Sequence, residues 1–272
     1  MASAYDVITD RILASLDKGD IPWRKPWTTS RPTNSDGRPY QGINAIVLGM
    51  SGYSDSRWLT YRKAISLGGH VKKGQKSTPI VFWKHIEKKN DEDSFWLLRY
   101  YSVFNVEQTE GLELPVLEIP NTKHEPIIRA ENIISSMPNR PRIAHDGGSQ
   151  AFYRPSTDSI HLPSESSFHG TDDYYSTLFH EASHSTGHAT RLNRHGLETG
   201  IAAFGTATYS KEELVAEFGA AFLCHESGIE NTIDNSTAYI QGWSKAIGKD
   251  KRLVITAASQ GEKAANYIIG GN

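Results

Sequence analysis

The sequence predicts an α+β protein of two domains, and three observations carry this prediction. At 272 residues with 38% hydrophobic content, the chain is long enough for two cores of ordinary size. Residues 1–110 contain 16 Lys+Arg against 12 Asp+Glu, a net charge of +4, whereas residues 111–272 contain 13 against 19, a net charge of −6. Five of the six tryptophans also fall in the first hundred residues. The two halves therefore differ in net charge and in tryptophan content.

The predicted division is a first domain at residues 1–110, a linker at 111–126 and a second domain at 127–272. The stretch from Glu107 to Pro126 contains three prolines, several acidic residues and no sustained apolar period. Such composition is typical of a connector.

The first domain is predicted to mix helices and strands. Its first helix has apolar residues at helical spacing from Val7 to Leu16 and ends at Gly19. The other expected elements are two helices followed by two strands: Asn44–Met50, Thr60–Leu67, Pro79–Trp83 and Phe95–Val106. A charged turn, Lys88 to Asp93, separates the two strands.

In the second domain, two short strands are expected within Ala151–Pro163, around a Ser-Thr-Asp turn. A helix is then expected to begin at Thr171, with acidic residues in its first turn. A second, amphipathic helix is expected over Ser210–Leu223.

The first of these two helices contains the pattern H-E-x-x-H, formed by His180, Glu181 and His184. Residues four apart lie on one helix face, so both imidazoles can reach one cation. Glu181 then lies one step round the helix, where it can act as general base on the attacking water. The pattern is typical of metal-assisted hydrolysis.

A third protein ligand is expected, because catalytic zinc sites usually have three. Glu213 and Glu217 share a face of the amphipathic helix, and two carboxylates at this spacing repel unless a cation lies near them. We expect Glu213 to bind the metal and Glu217 to accept a hydrogen bond from an imidazole N–H. The alternative is that Ser210 and Glu213 form a capping box, which would leave Glu217 as the ligand.

The single cysteine, Cys224, can form no intrachain disulfide, which favours a reducing cytoplasm. The sequence shows no apolar run of membrane-spanning length and no export signal, so no membrane association is expected.

Two segments of the first domain suggest nucleic acid. Trp23, Arg24 and Trp27 alternate aromatic and basic groups on a proline-stiffened segment, which suits unpaired bases and their phosphates. A basic loop containing Lys72, Lys73 and Lys76 could follow a phosphate backbone. Buried tryptophans and a solvated lysine loop are the alternative interpretation.

Several short segments, in this order, resemble the ArdC family of antirestriction proteins. They are Ile21–Trp27, Tyr40–Asn44, Trp58–Tyr61, Gly68–Gly74, Ile80–Trp83, the metal motif and Glu213–Glu217. The resemblance covers nearly the whole chain. It implies a first domain that binds single-stranded DNA and a second domain with a zincin-like metallopeptidase fold, carried on a mobile element.

The resemblance also implies that the protein protects incoming DNA from restriction in the bacterial host cytoplasm. Trp58, Trp83 and Lys84 then join the DNA-binding candidates. One divalent metal is expected, zinc first, with manganese or cobalt as alternatives because imidazole and carboxylate accept most divalent transition ions. A host protein is the expected substrate of the peptidase. Two other functions stay open: a cytoplasmic zinc metallopeptidase that does not need DNA, and a DNA-binding shield whose metal site is not catalytic.

Overall fold

The computed structural model describes residues 2–24, 30–86, 95–115, 125–146, 148–194, 207–232 and 237–270. It confirms a mixed helix-and-sheet protein of two compact units, Met1–Pro22 with Pro26–Ile119 and Trp23–Lys25 with Pro120–Asn272. The division falls inside the segment 111–126. The exact limits of the linker stay a prediction, because the described residues stop at 115 and resume at 125.

The first unit begins with helix α1, Ala4–Leu16, whose N-terminus is capped by a reciprocal Ser3–Asp6 box. Ile8 and Ile12 on its inner face are fully buried. The remaining helices and strands follow in this order: β1 Thr33–Asn34, α2 Ile43–Gly49, β2 Arg57–Leu59, α3 Tyr61–Ser66, β3 His70–Val71, β4 Thr78–Ile86, β5 Phe95–Asn105 and β6 Thr109–Glu110. The bounds of α2, α3 and β5 lie within one residue of the predicted ones. Helix α1 begins three residues before Val7, and β4 continues three residues beyond Trp83.

The sheet of this unit has the order β1-β2-β5-β4, so β4 lies at an edge. Strand β5 pairs with β2 only at Asn105 and Phe104, whereas it pairs with β4 along the whole length of that strand. Near its base, β4 is held by Asn44 of α2, whose side chain both accepts from the Val81 N–H (2.8 Å) and donates to its carbonyl (2.7 Å). Beyond this point β4 and β5 continue as a two-stranded ribbon.

The second unit contains helix α4, Pro126–Ser136, and a three-stranded sheet of β7 Arg142–His145, β8 Phe152–Arg154 and β9 Ser159–Leu162, in the order β7-β9-β8. Asp158 makes the tight β8–β9 connection in the left-handed region, and its carboxylate binds the buried Arg191 and accepts from the Tyr153 hydroxyl. The hairpin predicted around the Ser-Thr-Asp turn is confirmed.

Four long helices complete the unit: α5 Thr171–Ser185, α6 Ala207–Ser227, α7 Thr237–Lys249 and α8 Leu253–Ile269. Helix α6 packs on both α5 and α8. Two glycines permit this close packing, because a Cβ on Gly219 would lie 2.8 Å from Ser183 Cβ of α5 and one on Gly261 of α8 would lie 2.8 Å from the Val215 carbonyl of α6. None of the helices within the described ranges combines the length and the apolar character needed to cross a membrane.

Candidate metal centre

Three side chains meet between helices α5 and α6. His180 and His184 lie four residues apart on α5, and Glu213 faces them from α6. The Nε2 atoms of the two histidines are 3.1 Å apart, and the Glu213 carboxylate oxygens lie 3.6 Å from His180 Nε2 and 3.4 Å from His184 Nε2. The structure therefore brings together the three residues that the sequence predicts as metal ligands.

The size of this triangle fits a divalent metal. A tetrahedral ion bound at about 2.0–2.1 Å from each ligand separates its ligand atoms by roughly 3.3–3.4 Å. The observed separations of 3.1–3.6 Å bracket that value, with the two histidines facing different oxygens of the Glu213 carboxylate. In the described residues these three side chains are the only group of histidines, cysteines and carboxylates that could hold a metal in this way. The donor set also suits zinc and its neighbours in the first transition row.

The far side of each imidazole faces another carboxylate. Glu217 Oε1 lies 3.7 Å from His180 Nδ1, and Glu212 Oε1 lies 3.5 Å from His184 Nδ1. Glu217 is buried. Glu212 is thus placed to accept from His184 Nδ1–H, and donation from Nδ1 leaves Nε2 as the metal-binding lone pair. Glu217 is beyond hydrogen-bonding distance of His180 Nδ1, which is buried and has no hydrogen-bond partner among the described residues.

Glu213 faces the Nε2 atoms of both histidines, and Glu217 lies near Nδ1 of His180; their roles as metal ligand and imidazole support stay predictions. Helix α6 begins at Ala207, three residues before Ser210, so Ser210 is not the residue that caps this helix. The capping-box alternative therefore has no support in the fold, and Glu213 is free to face the histidines.

Strong ionic coupling holds this cluster together. Burial alone would lower the pKa of His184, but the Glu213 charge and the hydrogen bonds to Glu212 and Glu213 raise it well above its usual value. Burial alone would raise the pKa of Glu213, but the His184 charge and the hydrogen bonds from both histidines hold it far below its usual value. The directions of these two shifts are those expected of an ion pair between His184 and Glu213.

Glu181, the expected general base, is buried on α5 beside His180. Helix geometry turns it about 100° from His180, so it borders the cluster without being one of the three converging ligands. This position suits a base that acts on a water held next to the metal.

Sequence reasoning missed Arg194, which ties the two helices of the site together. Its guanidinium contacts Glu212 at 2.5 Å and 3.2 Å and also donates to the Ser183 carbonyl at the end of α5 (2.9 Å). Arg191 similarly donates to the Ser185 carbonyl. These arginines cap the C-terminus of α5, and His188 beyond it contacts Thr190. Eighteen residues separate Arg194 from Glu212, so no local pattern predicts the pair.

The predicted DNA-binding residues do not form one group. Trp23 and Trp58 are 0% and 1% exposed, and their rings pack on Phe218, Trp243 and Tyr53. Since a buried ring cannot stack on a base, both tryptophans are core residues and their prediction as stacking platforms is wrong. Both tryptophan rings instead contribute their large apolar surface to the protein core.

The other candidates are exposed or undescribed. Arg24, Lys72, Lys73, Lys76, Trp83 and Lys84 are exposed. Lys72 also donates to the Glu107 carbonyl (2.9 Å), which tethers the basic loop to the domain. Trp27 lies outside the described residues. The assignment of DNA contacts to the six exposed side chains stays a prediction.

The H-E-x-x-H helix, its facing glutamate and the adjoining three-stranded sheet together define the zincin-like class of metallopeptidase domain. A family model described as zincin-like metallopeptidase matches residues 129–260, and one described as the N-terminal domain of anti-restriction factor ArdC matches residues 2–122.

Comparison with solved structures finds the antirestriction ArdC protein from plasmid R388, in a metal-free and a Mn(II)-bound crystal structure. Each is 35% identical, superposes with a TM-score of 0.79, and aligns over 98% of this chain and 97% of that protein. The chain belongs to the ArdC family of antirestriction proteins.

Other relatives place the same two domains in different settings. An uncharacterized protein of Sinorhizobium fredii, y4eC, is 32% identical, and the match covers 97% of this chain and 91% of that protein. Two Escherichia coli proteins named DNA primase TraC are 36% and 35% identical over 97% of this chain. The match spans only 27% and 20% of their respective lengths, so most of each primase lies outside the shared region.

Proposed function

We propose that this protein protects the incoming DNA of a mobile element from restriction in the cytoplasm of a bacterial host, by binding single-stranded DNA and hydrolysing a host protein at a metal centre. The convergence of His180, His184 and Glu213, whose facing nitrogen and oxygen atoms lie 3.1–3.6 Å apart, carries the catalytic half of the proposal. Family membership and the relatives named DNA primase support the nucleic-acid half.

His180, His184 and Glu213 would hold the metal, and its identity as zinc, manganese or cobalt is left open by the donor set. The Mn(II)-bound relative supports a divalent ion. A divalent ion bound there supplies Lewis-acid polarisation of a peptide carbonyl and lowers the pKa of water.

Four residues of the chain transfer the proton or position the imidazoles. Glu181 takes a proton from the attacking water and returns it to the leaving amine. Glu212 and Glu217 support the two imidazoles from their Nδ1 sides. Arg194 holds Glu212 in place while it caps the end of α5.

Replacing Glu181 with glutamine tests the catalytic half. The amide has nearly the same shape but cannot accept a proton, so metal content should match the wild type while hydrolysis falls by at least about 100-fold. Transfer of unmodified plasmid DNA into restricting and non-restricting hosts measures protection. Glu226→Gln, on the exposed side of α6, is a matched control.

The outcomes separate three functions. Loss of protection in Glu181→Gln but not in Glu226→Gln supports a peptidase on which antirestriction depends. Full protection by Glu181→Gln contradicts that dependence and favours a DNA-binding shield. A wild-type protein that hydrolyses protein but has no affinity for single-stranded DNA would be a DNA-independent peptidase.

A further inference from the structure

The distal end of the β4–β5 hairpin in the first unit contains only two of the predicted DNA-binding residues, Trp83 and Lys84. We call residues 82–86 and 95–101 the aromatic ribbon. In the register, Phe82 faces Arg99, Lys84 faces Leu97 and His85 faces Trp96. Four successive residues of β4, from Phe82 to His85, are exposed. Since successive side chains of a strand alternate between its faces, both faces of the ribbon lie in solvent.

Aromatic side chains cover both faces. Trp96 is 64% exposed and Trp83 is 53% exposed, in contrast to the buried Trp23 and Trp58. The exposed aromatic rings of the ribbon are Phe82, Trp83, Phe95, Trp96, Tyr100 and Tyr101. A cluster of this size in water is unfavourable unless a partner covers it, because monomeric proteins rarely expose large continuous apolar patches.

The charged side chains of the ribbon indicate the chemical class of its partner. Lys84 and Arg99 are exposed on the face that also carries Phe82 and Tyr101, and His85 lies on the other face against the Trp96 ring, with centroids 4.9 Å apart. Strands β4 and β5, residues 78–86 and 95–105, contain no aspartate or glutamate. One face of the two strands thus carries rings with Lys84 and Arg99, and the other carries Trp83, His85 and Trp96. The segment 87–94 that connects the strands contains two lysines and four carboxylates in its sequence. Aromatic rings and cations without carboxylates on the strands themselves complement unpaired bases and their phosphates.

Duplex DNA does not fit this surface equally well, because its bases are already stacked on each other and present only their edges. A flat, two-sided platform of rings needs bases that can be separated and stacked individually. The ribbon also has open edges beyond Asn44 and Asn105 in the described structure, since β4 is the outer strand and β5 pairs with β2 only at its last residues. A strand of nucleic acid can therefore reach either face.

We propose that the aromatic ribbon is the single-stranded DNA-binding surface of this protein, with Trp83 and Trp96 as stacking platforms on one face. Lys84 and Arg99, on the opposite face, are the phosphate contacts for a strand that passes around the open edge of β4. The proposal rests on the proposed function, and it assigns that function to a surface on which Trp96 and Arg99 join the two candidates, Trp83 and Lys84, that the sequence had indicated.

The test is fluorescence anisotropy of the full chain with a labelled twenty-nucleotide oligo-dT, against a duplex of the same length, in a salt series. Trp83→Ala and Trp96→Ala should each weaken binding to oligo-dT about 5-fold to 100-fold, the range measured for loss of one stacked base. Lys84→Gln and Arg99→Gln should each reduce the slope of log K against log salt by about 0.7. Trp96→Tyr keeps a stacking ring and should retain most of the affinity.

Tyr61→Ala is the matched control, because Tyr61 is 56% exposed in the same unit but lies on α3, outside the ribbon. The altered side chains are all exposed, so thermal melting should show that each variant folds as the wild type. Wild-type affinity in both tryptophan variants, or an equal loss in Tyr61→Ala, would overturn the assignment to the ribbon while leaving the proposed function intact. A wild-type protein that does not bind oligo-dT would refute the DNA half of the proposed function as well. A wild-type dimer that dissociates in Trp96→Ala, with unchanged DNA affinity, would show that the ribbon binds a second copy of this chain instead.

Discussion

Replacing Gly261 with alanine should destabilise the second unit and loosen the helix that carries Glu213. The new Cβ on α8 would lie 2.8 Å from the Val215 carbonyl oxygen and 2.9 Å from the Gly219 amide nitrogen, both backbone atoms of α6. The nearest neighbour would be Phe218 Cβ at 2.5 Å; ordinary contacts begin at 3.4 Å, so α6 and α8 must separate locally by about 0.9 Å. Side-chain rotation cannot relieve the clash, because the backbone fixes the position of a Cβ and the other two atoms belong to the backbone.

Overpacking of this kind costs about 1–3 kcal/mol. For a unit of this size, each kcal/mol shifts the melting temperature by about 2–4 °C, so Gly261→Ala should melt about 2–12 °C below the wild type. Differential scanning calorimetry of metal-free protein measures the shift without a contribution from bound metal.

Gly242→Ala provides the matched comparison. Gly242 is also a helix-interior glycine, in α7, but it is exposed and a Cβ there meets nothing within 4 Å. Alanine should therefore stabilise by about 0.5–1 kcal/mol through helix propensity alone. A Gly261→Ala protein that melts at or above the wild-type temperature would refute the close-packing explanation.

Three further predictions concern the metal centre. Adding zinc at 100 times its dissociation constant should stabilise the folded protein by about 2.7 kcal/mol, and chelation should reverse this; calorimetry with no zinc-dependent shift would contradict the site. Because the pKa of His184 is raised in the metal-free protein, metal uptake must displace a proton, so titration calorimetry should show affinity that rises with pH through neutrality and a proton release that depends on buffer. Arg194→Gln should weaken metal affinity about 10-fold to 100-fold through Glu212 without removing a ligand, whereas an unchanged affinity would show that Glu212 does not need its guanidinium partner.

Much of the metal centre could be predicted from local sequence. The i and i+4 spacing of His180 and His184 fixes their common helix face, and two carboxylates at Glu213 and Glu217 indicate a helix that needs a cation nearby. Helical and strand periods likewise predicted α1 to α3, β4 and β5 of the first unit and β8, β9, α5 and α6 of the second, but not β7, α4, α7 or α8. Each of these patterns lies within one helix or strand, where the spacing of residues determines which of their side chains share a face.

Other features depend on contacts between distant segments and could not be predicted. Trp23 and Trp83 both stand near basic residues in the sequence, yet one is fully buried and the other is half exposed. The difference arises because Phe218 and Trp243 cover Trp23, and no local sequence pattern around residue 23 predicts those contacts. The Arg194–Glu212 pair was missed for the same reason.

Metal stoichiometry in four proteins tests the central claim most directly: the wild type, Glu213→Gln, Glu217→Gln and the control Glu226→Gln, each dialysed with zinc and measured by mass spectrometry of the metal. A site formed by His180, His184 and Glu213 predicts about one zinc per chain in the wild type and control, loss of tight binding in Glu213→Gln, and weakened but measurable binding in Glu217→Gln. Full occupancy in Glu213→Gln together with loss in Glu217→Gln would contradict the account and make Glu217 the third ligand.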